Sequence, residues 1–391
     1  MADHSWILTD VASGTYVDQL ELSRRDVKGA PGSFKINKTR LRGGLQDGVD
    51  LLHIDNGRVA VDLLPTRGMS LWRATIDGQT IGWDSPVAGP VHPGFVDLGE
   101  PSGLGWLDGF DEMMVRCGLE SNGAPEFAEN GQLVYPLHGR LGNRPAQHVA
   151  VEVDSDEEMI TVRSVVKETR FHFFKVQLVT EFRMRYGEPA FHIHDRAINL
   201  SASPAEVQLL YHANFGQPLL DGGARVVAPL KTVVPRNEHA ASGIDTWNSY
   251  TAAEAGFEEQ VYFLQLLADA DGYTRMMLKN AHSTRGMSMR YKTDTLPCFS
   301  VWKNTTAQED GSVTGLEPGT NYPNTRGYEG QQGRTAKLEP LGSVDFELSM
   351  SFQQSEADVA GVEDVISQLQ GNTEPEIFRE PQPGWCEDAS G

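Results

Sequence analysis

Four short stretches combine hydrogen-bonding or proton-transferring side chains with turn residues. Leu210-Tyr211-His212-Ala213-Asn214 carries an imidazole at the end of a predicted strand. Gly315-Leu316-Glu317-Pro318-Gly319 carries a carboxylate in a predicted Gly/Pro-rich loop, whose stiff backbone would aim it into a pocket. An imidazole and a carboxylate tuned toward neutrality can pass protons in both directions. The plain alternative for Glu317 is a solvated loop glutamate, the commonest place for that residue. Tyr135-Pro136-Leu137-His138-Gly139-Arg140 sets a second histidine beside a glycine, where the ring can approach a ligand uncrowded and Arg140 and Arg144 add donors. A loop histidine bonded to nearby backbone is the other reading. Pro65-Thr66-Arg67-Gly68-Met69 places an arginine in a tight turn. Its planar fork suits hydroxyls or a carboxylate, against an ordinary exposed turn arginine. Trp302 reads equally as an apolar stacking floor or as a core residue. His192 and His194 share one strand face and, with His212, could form a three-histidine zinc set. No carboxylate or thiolate has ligand spacing beside them, so the expectation is no metal.

These residues must be positioned by strands. Arg58–Leu64, His148–Val153, Met159–Val166, Val176–Tyr186, Ala190–Asn199, Glu206–Tyr211, Met287–Tyr291 and Val344–Phe352 read as strands, several alternating apolar and polar. Two of them flank the turn Tyr186-Gly187-Glu188-Pro189. Ala357–Gln370 has helical spacing, with Val359, Val362, Val365, Ile366 and Leu369 on one stripe and Gly371 as the stop. A short helix is expected near Asp108–Met114. No strand–helix alternation of the parallel type is present, which argues against a doubly wound or barrel α/β fold. The expectation is one large antiparallel β domain of stacked, twisted sheets over residues 48–371, with an N-terminal extension (1–47) packed on it and a C-terminal tail (372–391).

Composition agrees. The chain has 391 residues, 40 of them Gly and 21 Pro, a turn content that favours short strands. Lys plus Arg number 33 against 54 Asp plus Glu, a formal net charge of -21, and no basic cluster offers a face for nucleic acid. No apolar run is long enough to span a membrane. Three cysteines cannot make a disulfide framework, and the first residues lack a basic start followed by an apolar stretch. The compartment is therefore read as cytoplasmic. No glycine-rich nucleotide fingerprint is present, so no cofactor is expected.

In their order along the chain, these motifs resemble the aldose 1-epimerase (galactose mutarotase-like) superfamily. The resemblance runs through Pro65-x-x-Gly68, Asp77-Gly78, Trp83-Asp84-Ser85-Pro86, Cys117-Gly118, His138-Gly139, Leu210–Phe215, Trp302-Lys303 and Leu316-Glu317-Pro318, about residues 48 to 353. It looks most like an uncharacterised branch. The resemblance implies an all-β antiparallel supersandwich with a short C-terminal helix. It also implies an isomerase that interconverts sugar anomers, with His212 as acid and Glu317 as base. His138 matches a second histidine that bonds the sugar, and the expected substrate shell is Arg67, His138, Arg140, Asn214 and Trp302. The chain departs from the family at His212-Ala213-Asn214, and in 220–250, where no residue matches the substrate-orienting aspartate. The partner would be a small sugar or sugar derivative, and the oligomeric state stays open. His212 and Glu317 are expected about 5–9 Å apart, by analogy with carboxylates that flank a glycosidic bond. The competing readings are an isomerase, hydrolase or lyase acting on a sugar acid or oxidised sugar, a carbohydrate-binding protein without catalysis, and a metal enzyme built on the three histidines.

Overall fold

The computed structural model describes residues 4–27, 29, 30 and 32–389. The ends of the expected N-terminal extension and C-terminal tail lie outside the described residues. Those described form a fourteen-stranded and a ten-stranded sheet, almost wholly antiparallel, packed face to face. Side-chain alternation makes this arrangement. Along Ala190–Asn199, Phe191, Ile193, Asp195 and Ala197 point inward, while His192 and Arg196 point to solvent. The expected supersandwich is therefore present.

Six strands of the larger sheet build the site: β1 (Met114–Leu119), β2 (Ala205–Phe215), β3 (Leu230–Pro235), β4 (Gln260–Leu266), β5 (Cys298–Asn304) and β6 (Val313–Gly319). Their order across the sheet is β3-β4-β5-β6-β2-β1. On β2, Leu209, Tyr211, Ala213 and Phe215 enter the core between the sheets. Leu210 joins a separate cluster on the outer face, with Trp106, Phe110, Val115 and Cys117. A buried ion pair ties the two sheets: Arg116 on β1 donates to Asp195 (Nε to Oδ2, 2.6 Å), and Tyr211 donates to the same oxygen at 2.8 Å. Removing one partner of such a pair costs about 3–5 kcal/mol, because a buried charge is left alone.

The strand expectations hold, with ends that match or differ by one to four residues, mostly on the longer side. Three details differ. The helix expected near Asp108–Met114 is a 3₁₀ turn at Gly105–Gly109, followed by extended chain into β1. Trp106 and Phe110 are buried there, and Glu112 turns inward to Arg67 instead of lying along a helix. The C-terminal helix runs Glu356–Gln370, capped by Ser355, but Val365 is exposed, and Val359, Val362 and Ile366 alone form its deeply buried stripe. The chain before residue 48 is woven into both sheets: His4–Asp10 pairs with Ala146–Asp154, and Lys35–Arg40 with Asp50–Asp55. At the other end, Glu376–Ile377 lies parallel to β3, and Trp385 stacks on Tyr322. All three cysteines are buried.

Candidate active site

On the outer face of the larger sheet, a cavity of about 290 Å³ opens among Trp106, Phe110, His138, His212, Trp302 and Glu317. That is just below the roughly 300–1,000 Å³ usual for small-molecule sites. Register explains the meeting of its two central residues. Leu210 pairs with Gly319 and Ala213 with Leu316, so His212 lies directly opposite Glu317 on the neighbouring strand, on the same face. Nε2 of His212 is 3.3 Å from Oε1 of Glu317, and both residues are almost fully buried. Gly315 makes room for the pair, since a Cβ there would lie 2.4 Å from Oε1 of Glu317.

The hydrogen-bond network assigns the histidine tautomers. Asn214 Nδ2 donates to the carbonyls of Glu112 and His212, which leaves Oδ1 facing the His212 ring at 2.7 Å. The proton of His212 therefore sits on Nδ1, and Nε2 presents its lone pair to Glu317. His138 Nδ1 donates to the carbonyl of Asn122 at 2.9 Å, so its Nε2 is also bare. The His138 and His212 rings meet edge to face, with centroids 5.0 Å apart. Trp106 packs edge-on against His138, and Phe110 and Trp302 close around His212.

Burial controls the protonation. It pushes the Glu317 carboxyl from its ordinary 4.5 up to about 8, with the Glu259 charge adding to the rise and Arg236 opposing it. It lowers His138 to about 4 and holds His212 well below 6.5, with His138 lowering it further. At neutral pH the site thus holds a protonated carboxyl against two neutral imidazoles. This order of protonation is opposite to the sequence-based expectation of an ionised glutamate and a protonated histidine, because burial disfavours the charged form of each.

Residues 46–352 match the model of a family described as a domain of unknown function, DUF4432. The chain belongs to that family. A crystal structure from Klebsiella pneumoniae subsp. pneumoniae MGH 78578, of a protein with the provisional name aldose 1-epimerase, is 38% identical. It superposes with a TM-score of 0.94 over 97% of this chain and 99% of that one. Two more distant structures share the fold. A galactose mutarotase-like protein from Clostridium acetobutylicum is 13% identical, with a TM-score of 0.56 over 82% and 98% of the two chains. Galactose 1-epimerase from Lactobacillus acidophilus NCFM is 13% identical, with a TM-score of 0.53 over 83% and 100%. No curated protein matches the sequence. The fold of this DUF4432 chain is that of the galactose mutarotase-like proteins.

Of the residues singled out in this DUF4432 sequence, His138, His212, Trp302 and Glu317 line one cavity. Asn214 lies behind it and orients His212. Glu317 comes from strand β6 rather than the expected loop, since ladder pairing on both sides, with β5 and β2, outweighs the local Gly and Pro content. The separation of 3.3 Å from His212 is also below the expected one, because cross-strand neighbours point the same way instead of facing across a gap.

Arg67 and Arg140 are placed elsewhere. Arg67 is buried and spends its donors on Glu112, Asn143 and the carbonyls of Val91 and Gly109, pinning the loop that carries Trp106 and Phe110. Arg140 lines a separate cavity with Glu120, Arg144 and Glu168. His138 and Gly139 both adopt left-handed backbone (φ 55° and 73°), and this sharp turn sends Arg140 away from His138. A Cβ on Gly139 would lie 2.0 Å from the Ser121 carbonyl, so the turn requires glycine.

His192 and His194 stand on the outer face of the other sheet, at Ser349 and Asp345, remote from a three-histidine set with His212. Among the described residues, no group of three or more His, Cys, Asp or Glu is placed to hold a metal ion. Asp195, on the same strand as His192 and His194, faces the other way and is occupied by Arg116, Tyr211 and Thr180. No helix among them is long and apolar enough to cross a membrane.

The sequence reading missed Trp106, Phe110, Arg236 and Glu259, which complete the walls and rim. The Gly-flanked run Gly105-Trp106-Leu107-Asp108-Gly109-Phe110 was a signal of aromatic residues on a tight loop. Nothing local distinguished Arg236 or Glu259. In 220–250, where an aspartate was sought, Asp245 pairs with Arg379 on the surface and Asp221 accepts from the Ala281 amide. The side chain that this segment sends to the cavity is Arg236.

Proposed function

We propose that this protein is an aldose 1-epimerase that interconverts sugar anomers through His212 and Glu317. The observation that carries the reading is the buried pair at 3.3 Å on the floor of an aromatic-walled cavity. Ring opening takes the proton from the anomeric hydroxyl and adds one to the ring oxygen as the C1–O5 bond breaks and C1=O forms. Rotation about C1–C2 and the reverse transfers close the other anomer. An acid and a base must therefore act together and exchange roles on closure. The carboxyl of Glu317 holds the proton at the outset, and Nε2 of His212 is the free base. Opening thus has Glu317 giving to the ring oxygen and His212 taking from the hydroxyl, with the sugar displacing their mutual contact. This starting state is opposite to the one implied by family resemblance.

His138 would accept from a further hydroxyl through its bare Nε2. Trp106, Phe110 and Trp302 would pack against the C–H faces of the sugar and exclude water, which strengthens each polar contact.

The test is magnetisation exchange between anomer signals in NMR, run on a panel of aldoses and uronates. His212→Asn and Glu317→Gln should each slow exchange by about 10²–10⁴-fold on a sugar the wild type turns over. Unchanged exchange in Glu317→Gln would refute the reading and favour a binding protein without catalysis.

A further inference from the structure

We propose that Arg236 makes this site selective for aldoses that carry a carboxylate, with a uronic acid as the simplest substrate; this rests on the epimerase reading above. Arg236 is the sole lysine or arginine among the described residues lining the cavity. It follows β3 directly, and its backbone N–H is held by the Val261 carbonyl at 3.0 Å, so the stem is fixed at the rim. Its guanidinium makes no side-chain hydrogen bond within the described residues. The nearest carboxylate, Glu259, stays at 4.0 Å, beyond hydrogen-bonding reach, because the indole N–H of Trp302 holds it at 2.7 Å. The other cations of this region are spent: Arg67 donates to four acceptors, and Lys303 to the carbonyls of Thr246 and Ser249.

A partly buried arginine whose five donors make no hydrogen bond among the described residues, in a chain of net charge -21, has Glu259 at 4.0 Å as a loose, half-exposed counter-charge and leaves its planar fork free for a second partner. A planar carboxylate matches that fork in a bidentate way. The floor does not oppose it, since burial keeps Glu317 uncharged at neutral pH and the Arg236 charge reaches both Glu317 and His138. Glu259 is the group an incoming carboxylate would have to tolerate, and its contact with Trp302 keeps it to one side.

The experiment compares anomer exchange on glucuronate and galacturonate with glucose and galactose, at pH 7 and fixed ionic strength. The wild type should favour the uronate of each pair by at least about tenfold in kcat/KM. Arg236→Gln should collapse that ratio by about 10–100-fold, the worth of a charge-assisted hydrogen bond. Arg236→Lys should retain part of the preference through charge alone. The neutral aldose in the same assay reports whether each variant is folded and active. Wild-type exchange of neutral aldoses as fast as uronates, or an unchanged ratio in Arg236→Gln, overturns the inference and leaves the epimerase reading standing. Exchange of none of the sugars removes the epimerase reading. Calorimetric binding of glucuronate then decides: binding lost in Arg236→Gln supports the carboxylate site, and no binding by the wild type overturns it.

Discussion

Replacing Glu317 by Gln should abolish most activity yet make the protein more stable at alkaline pH. Burial raises the carboxyl from 4.5 to about 8. The folded state therefore binds this proton more tightly than the unfolded chain does. Stability from the group is complete below pH 4.5, falls as pH rises, and levels off above pH 8. Over that window the loss is about 5 kcal/mol at about 1.4 kcal/mol per pH unit. Gln keeps the shape of the neutral acid, and its amide can still donate to Nε2 of His212, but it cannot ionise. The wild type and Glu317→Gln should then be nearly equal in stability at pH 4.5–5 and diverge steadily to pH 8. The buried carboxyls of Asp111 and Glu168, both raised to about 7, titrate in both proteins and cancel in the difference. Urea unfolding at half-unit pH steps measures the difference directly. Parallel curves for the two proteins would mean that Glu317 ionises normally. The neutral starting state, and the direction of proton transfer built on it, would then be wrong.

Asn214→Ala should cut anomer exchange by about 10²–10⁴-fold with a smaller effect on KM, because His212 loses the acceptor that fixes its Nδ1 proton; ¹⁵N imidazole shifts would show a mixture of tautomers in place of one. Arg67→Met should destabilise the fold by about 3–5 kcal/mol in denaturant unfolding by leaving Glu112 buried and unpaired. Arg140→Ala should leave sugar affinity unchanged in a titration and alter stability by less than about 0.5 kcal/mol, since Arg140 lines a different cavity. Asp195→Asn should destabilise by a similar 3–5 kcal/mol through the stranded Arg116, without moving the pH profile of exchange, which distinguishes a clasp between the sheets from a partner of His212.

The alternation of apolar and polar residues along Ala190–Asn199 and Ser343–Gln353 is a local property of the chain, and it alone fixes which side of each strand is buried. The all-β class, most strand positions and the C-terminal helix were legible for that reason. His138, His212, Trp302 and Glu317 were legible as candidates because each sits in a distinct short motif. Their meeting was not legible. It depends on β2 pairing with β6 in the one register that sets His212 opposite Glu317, over a separation of more than 100 positions in the chain. Arg67 shows the opposite case: its motif pointed to a ligand, but Glu112, Asn143 and two carbonyls brought in by other segments consume its donors. Protonation depended on packing as well. A glutamate and a histidine have ordinary pKa values until Trp106, Phe110 and Trp302 exclude water from them, and only then does the proton move to the carboxyl. Residue types and periodicity therefore determined the strands and named the chemistry. Only the tertiary structure decided which groups share a cavity and which of them carries the proton, because register and desolvation arise when distant segments pack together.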